Sequence, residues 1–176
     1  MMHPTAQQLV EHLGMTQLPV EATFFVSTYR SVADTATGGP VGTAMIGMYS
    51  DDPPSRSLFH RLDFDEVWHF YGGDPMRLVL LHADGTSDDV IMGSDLLAGQ
   101  LVQFVIPAGV WQAGELVDGG RWALFGCTMA PGFTSACFEG GRVSELLVAY
   151  PGREADIRRL GIPDDHGTTM PAAFAT

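Results

Sequence analysis

The sequence has little positive charge. Its 176 residues include 9 Lys or Arg against 21 Asp or Glu, which gives a formal net charge of −12. Binding to nucleic acid or to an anionic membrane surface requires clustered Lys and Arg, and no basic run occurs in this chain. We therefore expect no nucleic-acid or membrane partner, and we interpret the acidity as a contribution to solubility.

Cysteines and long apolar runs are also scarce. The two cysteines, Cys127 and Cys137, are too few for a disulfide framework or a zinc cluster, and Cys127 lies in an apolar run that predicts a buried, inert thiol. No apolar run approaches the roughly 18 residues that span a bilayer. The N-terminal residues show no hydrophobic segment of a secretory signal. These features predict a cytoplasmic protein in a reducing compartment.

Turn-forming residues, in contrast, are abundant, with 21 Gly and 11 Pro. Short runs rich in β-branched and aromatic residues alternate with turn signals such as Asp118-Gly119-Gly120. This pattern predicts an all-β sandwich or barrel, and the lack of strand–helix alternation disfavours a Rossmann or TIM fold. The predicted strands are 23–30, 43–49, 57–62, 65–71, 76–82, 87–92, 101–106 and 121–129.

A few short helices are predicted outside the strands. The first begins at a Thr5 cap, with Gln8 completing a capping box, and ends at Gly14. Two more are predicted at 144–149 and 153–160. Residues 1–163 are expected to form one domain, and residues 164–176 a flexible C-terminal tail.

Glu66 is the strongest candidate for a functional side chain. Alternate residues of a strand share a face, so Glu66, Trp68 and Phe70 lie together and His69 lies on the opposite face. A carboxylate among aromatic neighbours is unfavourable unless it is paired, hydrogen-bonded or used in chemistry. Glu66 therefore indicates a functional group in a cavity.

An ion pair of Glu66 with Arg61 or Arg77 is the structural alternative. His60 precedes Glu66 by one predicted turn, and a hairpin would bring its imidazole beside the carboxylate. Gln103 alternates with apolar residues on its strand, so it either lines the barrel or is exposed. The chain contains no P-loop, G-x-S-x-G, H-E-x-x-H or dinucleotide-binding motif.

Two stretches resemble the two conserved motifs of the cupin superfamily. In the first, His60, Glu66 and Gly73 match a motif of histidines, a glutamate and a later glycine. The second stretch, residues 99–112, has the form G…P-x-G-x-x-H except for its last residue. Gly99, Pro107 and Gly109 match the motif, and Gln112 stands at the position of its final histidine. More closely, the chain is similar to the uncharacterised DUF985 (Cupin-5) subfamily over about residues 9–160. The phrases that carry this similarity are FHRLDFDEVWHFYGGDPMRL, MGSDLLAGQLVQFVIPAGVWQAG and LFGCTMAPGF.

The chain departs from the metal-binding cupin pattern at two positions. Those proteins supply H-x-H, then Glu, then a final His, whereas this chain has Leu62 and Gln112 at the second and last of these positions. An amide is a poor ligand for a transition metal. The family also shows a P-E-G-G-like segment, which reads Pro19-Val20-Glu21-Ala22-Thr23 here and predicts altered geometry at the pocket edge.

The resemblance implies a double-stranded β-helix (jelly-roll) barrel with short peripheral helices, and a homodimer. It also implies a pocket for a small-molecule ligand, with an aromatic wall and a few polar groups. The residues expected around this pocket are His60, Glu66, Trp68, Phe70, Gln103, Trp111 and Gln112, the last five of them for substrate binding.

Three hypotheses for function follow. The first is a metal-independent isomerase or epimerase on a sugar or related carbonyl compound, with Glu66 and His60 as the catalytic base and acid. The second is a metal-dependent oxygenase or lyase, in which His60, Glu66, His69 and Gln112 bind a divalent transition metal. The third is a non-catalytic protein that binds a small ligand in the same pocket. We expect an enzyme of the first kind, with no cofactor.

Overall fold

The computed structural model describes residues 1–172. Within this range the chain forms three α-helices and twelve strands. The helices are α1 (Pro4–Leu13), α2 (Val143–Ala149) and α3 (Glu154–Leu160). The strands are β1 (Thr16–Gln17), β2 (Phe24–Arg30), β3 (Thr43–Asp51), β4 (Pro54–Ser55), β5 (Ser57–Leu62), β6 (Glu66–Gly73), β7 (Met76–Leu81), β8 (Ser87–Met92), β9 (Gln103–Ile106), β10 (Trp111–Leu116), β11 (Trp122–Met129) and β12 (Phe138–Gly140).

Two antiparallel sheets face each other and enclose the core. One has seven strands in the order β1-β2-β3-β11-β6-β9, with β4 paired to β3, and the other has five in the order β12-β5-β10-β7-β8. Tyr49, Trp68 and Phe125 of the first sheet pack against Leu78 and Leu80 of the second. The predicted all-β jelly-roll barrel with short peripheral helices is confirmed.

The sequence misses one strand that matters for the site. The predicted strands match β2, β3, β5, β6, β7, β8, β9 and β11 to within a few residues. Strand β10 was not predicted, because Ala113 and Gly114 lower its strand propensity. It pairs with both β5 and β7 at the centre of the five-stranded sheet, with Gln112 opposite His60.

Helix α1 covers the outer face of the seven-stranded sheet. Its Ala6 is buried beside Met15 and Met48, and Gly14 ends it at a φ of 65°. The predicted Thr5 cap is wrong: His3 is the N-cap, and its Nδ1 accepts a hydrogen bond of 3.3 Å from the Thr5 backbone nitrogen. The helix begins two residues earlier than the Thr5 cap predicts, because Pro4 suits the first helical position, where no backbone N–H is needed.

Helices α2 and α3 cover the outer face of the five-stranded sheet. Leu146 of α2 and Ile157 and Leu160 of α3 are buried against Trp111 and its neighbours. No helix in the described part of the chain is long and apolar enough to cross a membrane.

The predicted tail is in contact with the barrel where the structure describes it. The Gly140 backbone nitrogen donates a 2.8 Å hydrogen bond to the carbonyl oxygen of Thr168, and the Met170 side chain is buried. Residues 164–172 are thus held against the barrel at these points, because an apolar side chain gains free energy on burial. The rest of the predicted tail, residues 173–176, lies outside the described residues.

Candidate functional site

One end of the barrel encloses a cavity between the two sheets. It offers about 80 Å³ of space for the centres of water molecules, enough for several waters or a small organic ligand. Most of its wall is apolar, and the apolar side chains include Leu18, Phe25, Leu62, Met129, Phe133 and Met170. The polar side chains are few, which makes each one informative.

Glu66 opens β6 with its side chain directed into the cavity, as the strand alternation predicts. Its Oε2 accepts hydrogen bonds from Trp68 Nε1 at 2.9 Å and from Gln112 Nε2 at 3.0 Å. Burial raises the pKa of the Glu66 carboxyl above its ordinary 4.5, although nearby His60 and the hydrogen bonds that the carboxyl accepts lower it. The carboxyl is thereby held in one orientation and made a stronger base.

The alternative ion pairs of Glu66 are not formed. Arg61 binds Glu139 on the surface, and Arg77 binds Asp156. Both arginines therefore neutralise other carboxylates. The partners of Glu66 are neutral donors instead, which leaves its charge available to a ligand.

Gln112 orients Glu66 and does not line the cavity. Its amide oxygen accepts a 3.0 Å hydrogen bond from Trp68 Nε1, while its amide nitrogen donates to Glu66. Trp68, which does line the cavity, therefore donates to both of the other two side chains. This closed triangle of hydrogen bonds fixes the Glu66 carboxyl.

His60 reaches the cavity from the opposite sheet. Strand β5 pairs with β10 and β12, whereas β6 pairs with β11 and β9, so the predicted hairpin between His60 and Glu66 is wrong. The imidazole is 3% exposed, and its Nδ1 lies 2.8 Å from the carbonyl oxygen of Leu58. Because a carbonyl oxygen only accepts, Nδ1 carries a proton, and in the neutral ring Nε2 holds the lone pair.

Glu21 is the site residue that the sequence reasoning missed. It lies in the segment between β1 and β2, is 9% exposed and lines the cavity. Its Oε2 is 3.7 Å from His60 Nδ1. Burial raises the pKa of the Glu21 carboxyl, His60 lowers it, and the nearby charge of Glu66 raises it further. No periodic pattern marks Glu21, because it is placed by a turn. The available signal is the P-E-G-G-like segment at residues 19–23, which predicts the pocket edge but assigns no role to the Glu21 side chain.

Cys127 completes the surroundings of Glu66. Its buried thiol lines the cavity, and its proximity lowers the pKa of the Glu66 carboxyl. Burial, followed by the charges of Glu66 and Glu21, raises the pKa of this thiol well above its ordinary 9.0. The predicted inert, buried thiol is thus a neutral group beside the candidate base.

Four predicted site residues lie away from the cavity. Phe70 is buried deeper in the barrel core, and Trp111 lies on the outer face of its sheet beneath α2 and α3. His69 and Gln103 hydrogen-bond each other at 3.1 Å on the outer face of β6 and β9, where Gln103 is exposed. Strand alternation explains these positions, since Gln112 pointing inward turns Trp111 outward and Glu66 pointing inward turns His69 outward.

The donors around the cavity do not fit a transition metal. Among residues 1–172, no group of three or more His, Cys, Asp or Glu side chains is arranged to hold a metal ion. Leu62 supplies no ligand, and both ends of the Gln112 amide are engaged by Trp68 and Glu66. His60 and Glu66 remain as good donors of the motif, and the lining residues Glu21 and Cys127 do not complete a three-ligand arrangement with them.

Comparisons with known proteins agree with this architecture. The family model described as "Cupin superfamily (DUF985)" matches residues 7–140. An X-ray structure of a Shewanella oneidensis protein is similar with a TM-score of 0.83 and 29% identity, covering 90% of this chain and 98% of that one. A hypothetical protein from Leishmania major has a TM-score of 0.80 at 24% identity, covers 89% and 98% of the two chains, and shows the fold alone. Comparison with curated proteins gave no match. The chain belongs to the DUF985 family of the cupin superfamily.

Proposed function

We propose that the protein is an isomerase or epimerase that moves a proton on a small carbonyl compound, such as a sugar, without a metal. The observation that carries this proposal is the convergence of one carboxylate and one imidazole on the same apolar cavity. Glu66 enters from one sheet and His60 from the other. A ligand between them has a proton acceptor on one side and a second proton-transfer group on the opposite side.

Glu66 is suited to act as the base. Burial raises the pKa of its carboxyl, and a general base is most effective when its pKa approaches the working pH. It removes the proton from the carbon next to the substrate carbonyl. The electrons of that C–H bond then form the carbon–carbon double bond of an enediol, while the carbonyl π electrons move to the oxygen, which takes a proton from His60. In an isomerisation, Glu66, whose captured proton exchanges with solvent, then protonates the neighbouring carbon as the adjacent hydroxyl gives its proton back to His60.

His60 is suited to serve the substrate oxygen. The hydrogen bond from Nδ1 to Leu58 fixes the ring, so Nε2 faces the substrate oxygen. In the imidazolium form Nε2 gives its proton to the carbonyl oxygen as the enediol forms, and it takes a proton back from the adjacent hydroxyl as the enediol collapses. Gln112 and Trp68 act through Glu66, since their polar atoms are already engaged with its carboxyl and with each other. The substrate-binding role expected for Gln112 is therefore replaced by a positioning role.

Hydrogen exchange with solvent tests this proposal and does not require the product to be identified. Uncharged hydroxy-aldehydes and hydroxy-ketones are incubated with the protein in D2O, and deuterium at the carbon next to the carbonyl is followed by NMR. We expect exchange with the wild-type protein and its loss in Glu66→Gln. Glu145→Gln, on the exposed side of α2, is the matched control and keeps the wild-type rate. Saturable binding with no exchange contradicts an isomerase and favours a binding protein.

A further inference from the structure

The cavity holds acidic groups without a permanent cation. Glu21 and Glu66 both line it, and no Lys or Arg is found among the described lining residues. The chain has no lysine, and its nine permanently cationic side chains are all arginines. The two arginines considered as ion-pair partners of Glu66 are engaged elsewhere, with Arg61 on Glu139 and Arg77 on Asp156. His60 is thus the one basic group that a ligand meets among these lining side chains.

The two carboxyls already act on each other. The charge of Glu66 raises the pKa of Glu21, in addition to the larger effect of burial. A ligand phosphate or carboxylate would add a third acidic group to the same apolar enclosure. Such a buried anion needs a paired cation, and the imidazole of His60 is shared with Glu21 at 3.7 Å.

The backbone holds Glu21 in place, so its carboxyl is a fixed feature of the cavity wall. The Leu18 nitrogen donates to the Thr23 carbonyl at 2.8 Å, and the Ala22 nitrogen donates to the Leu18 carbonyl at 3.0 Å. Ala22 has a φ of 63°, a conformation that side-chain-bearing residues rarely adopt. Such a conformation persists where the surrounding contacts enforce it, here at the residue after Glu21.

We infer that the cavity takes a small uncharged hydroxy-carbonyl ligand and rejects anionic ones, with Glu21 as the residue that sets this selectivity. Sugar phosphates, sugar nucleotides and keto acids are thereby excluded as substrates. Free hydroxy-aldehydes and hydroxy-ketones match both the charge and the size, since the cavity offers about 80 Å³ for water centres. This inference rests on the proposed function in one respect, namely that the ligand binds in the cavity between Glu66 and His60.

Three probes of similar size and different charge test the selectivity. Lactamide is neutral, lactate is an anion and 1-amino-2-propanol is a cation at pH 7. Their affinities are measured by ligand-observed NMR titration of the full chain. We expect lactamide to bind at least about tenfold more tightly than lactate, which corresponds to one uncompensated charge contact. In Glu21→Gln, which keeps the side-chain size, lactate affinity rises and the ratio falls about tenfold. The surface variant Glu145→Gln, on α2, leaves the ratio unchanged.

Each alternative outcome contradicts the inference. If lactate binds as tightly as lactamide, the cavity does not select against anions. If 1-amino-2-propanol binds most tightly, the ligand is an amine instead. If none of the probes binds saturably, the cavity is not a site for such ligands. The measurement concerns binding alone. If lactamide is preferred but the D2O experiment shows no hydrogen exchange, the proposed isomerase is wrong and the selectivity stands. If exchange occurs but lactate is preferred, only the selectivity is wrong.

Discussion

Oε2 of Glu21 lies 3.7 Å from Nδ1 of His60, although the two residues come from a turn and from a strand of different sheets. His60 thereby stands among two acidic groups, with Glu66 as the other. Burial raises the pKa of both carboxyls, and the imidazole lowers it in both. These two buried carboxyls near one imidazole underlie the proposed proton transfer and the proposed selectivity.

The raised pKa of Glu21 predicts a pH-dependent effect of Glu21→Gln on stability. Above the ordinary 4.5, the unfolded chain has lost the proton that the folded state still holds, so wild-type stability falls as the pH rises towards the folded-state pKa. Glutamine has no such proton. The free energy of unfolding of Glu21→Gln therefore improves relative to wild type as the pH rises above the ordinary 4.5, which urea unfolding at about pH 5 and about pH 7 measures.

The control for this experiment is Glu139→Gln, which removes the same charge from the surface and corrects for the change in net charge. The groups that face Glu21 in the cavity, His60, Glu66 and Ser57, are unchanged in both variants. A stability difference that is the same at both pH values, or that reverses, would show that the Glu21 proton is not held by the fold.

Ala22→Gly is expected to stabilise the protein. A left-handed conformation costs a non-glycine residue about 1–2 kcal/mol, and glycine loses about 0.4–1 kcal/mol of this gain through a freer unfolded chain. The free energy of unfolding should rise by up to about 1 kcal/mol in chemical denaturation. Ala83→Gly, in an exposed turn, should lower it instead, because its φ is not positive. A loss of stability in Ala22→Gly contradicts the strain at that turn.

Asp156→Asn is expected to loosen α3 from the barrel. Asp156 accepts hydrogen bonds from Arg77 at 2.8 and 3.0 Å, from Arg159 at 2.8 Å and from Arg153 at 3.2 Å. Burial alone would raise the pKa of Asp156, but these arginines hold it below the ordinary 3.8. We expect a loss of about 1–3 kcal/mol at pH 7 that shrinks as the pH falls from about 4 through the lowered pKa.

Thermal unfolding at pH 7 and pH 3 measures this effect. Glu154→Gln removes an exposed ion pair of the same helix and should change stability by less than about 0.5 kcal/mol. An equal cost for the two variants, or a cost of Asp156→Asn that is as large at pH 3 as at pH 7, contradicts the role given to this carboxylate.

Metal content is the next prediction. Because Leu62 and the engaged amide of Gln112 supply no free ligand, protein purified without chelators should carry less than about a tenth of an equivalent of any transition metal. Elemental analysis of wild type and Glu66→Gln provides the measurement. A stoichiometric metal that Glu66→Gln loses would favour the metal-dependent alternative.

Strand periodicity made part of the site predictable. The two-residue repeat of β6 places Glu66 and Trp68 inside and His69 outside, and the structure has them so. The second motif placed Gln112 near Glu66, and in the structure the two side chains are hydrogen-bonded. These contacts follow from local alternation, which a single sequence displays.

The remaining site residues depend on contacts between distant parts of the chain. Glu21 is placed by a turn and by the backbone hydrogen bonds of its neighbours, so no hydrophobic periodicity in the sequence indicates its position. The family resemblance places Trp111 in the pocket without the orientation of β10; in that strand, the inward Gln112 turns Trp111 outward. The position of His60 depends on which sheet β5 joins, and that is decided by long-range pairing with β10 and β12.

Glu66→Gln in the deuterium-exchange experiment tests the central claim most directly. Glutamine keeps the side-chain shape, and its amide oxygen can still accept from Trp68 and Gln112, so the fold is retained and the base alone is lost. We expect wild-type protein to exchange the proton next to the carbonyl of an uncharged hydroxy-carbonyl ligand, and the variant to do so at least about 100-fold more slowly with unchanged binding. Exchange at the wild-type rate in Glu66→Gln, or no exchange in wild type with ligands that bind, contradicts the account.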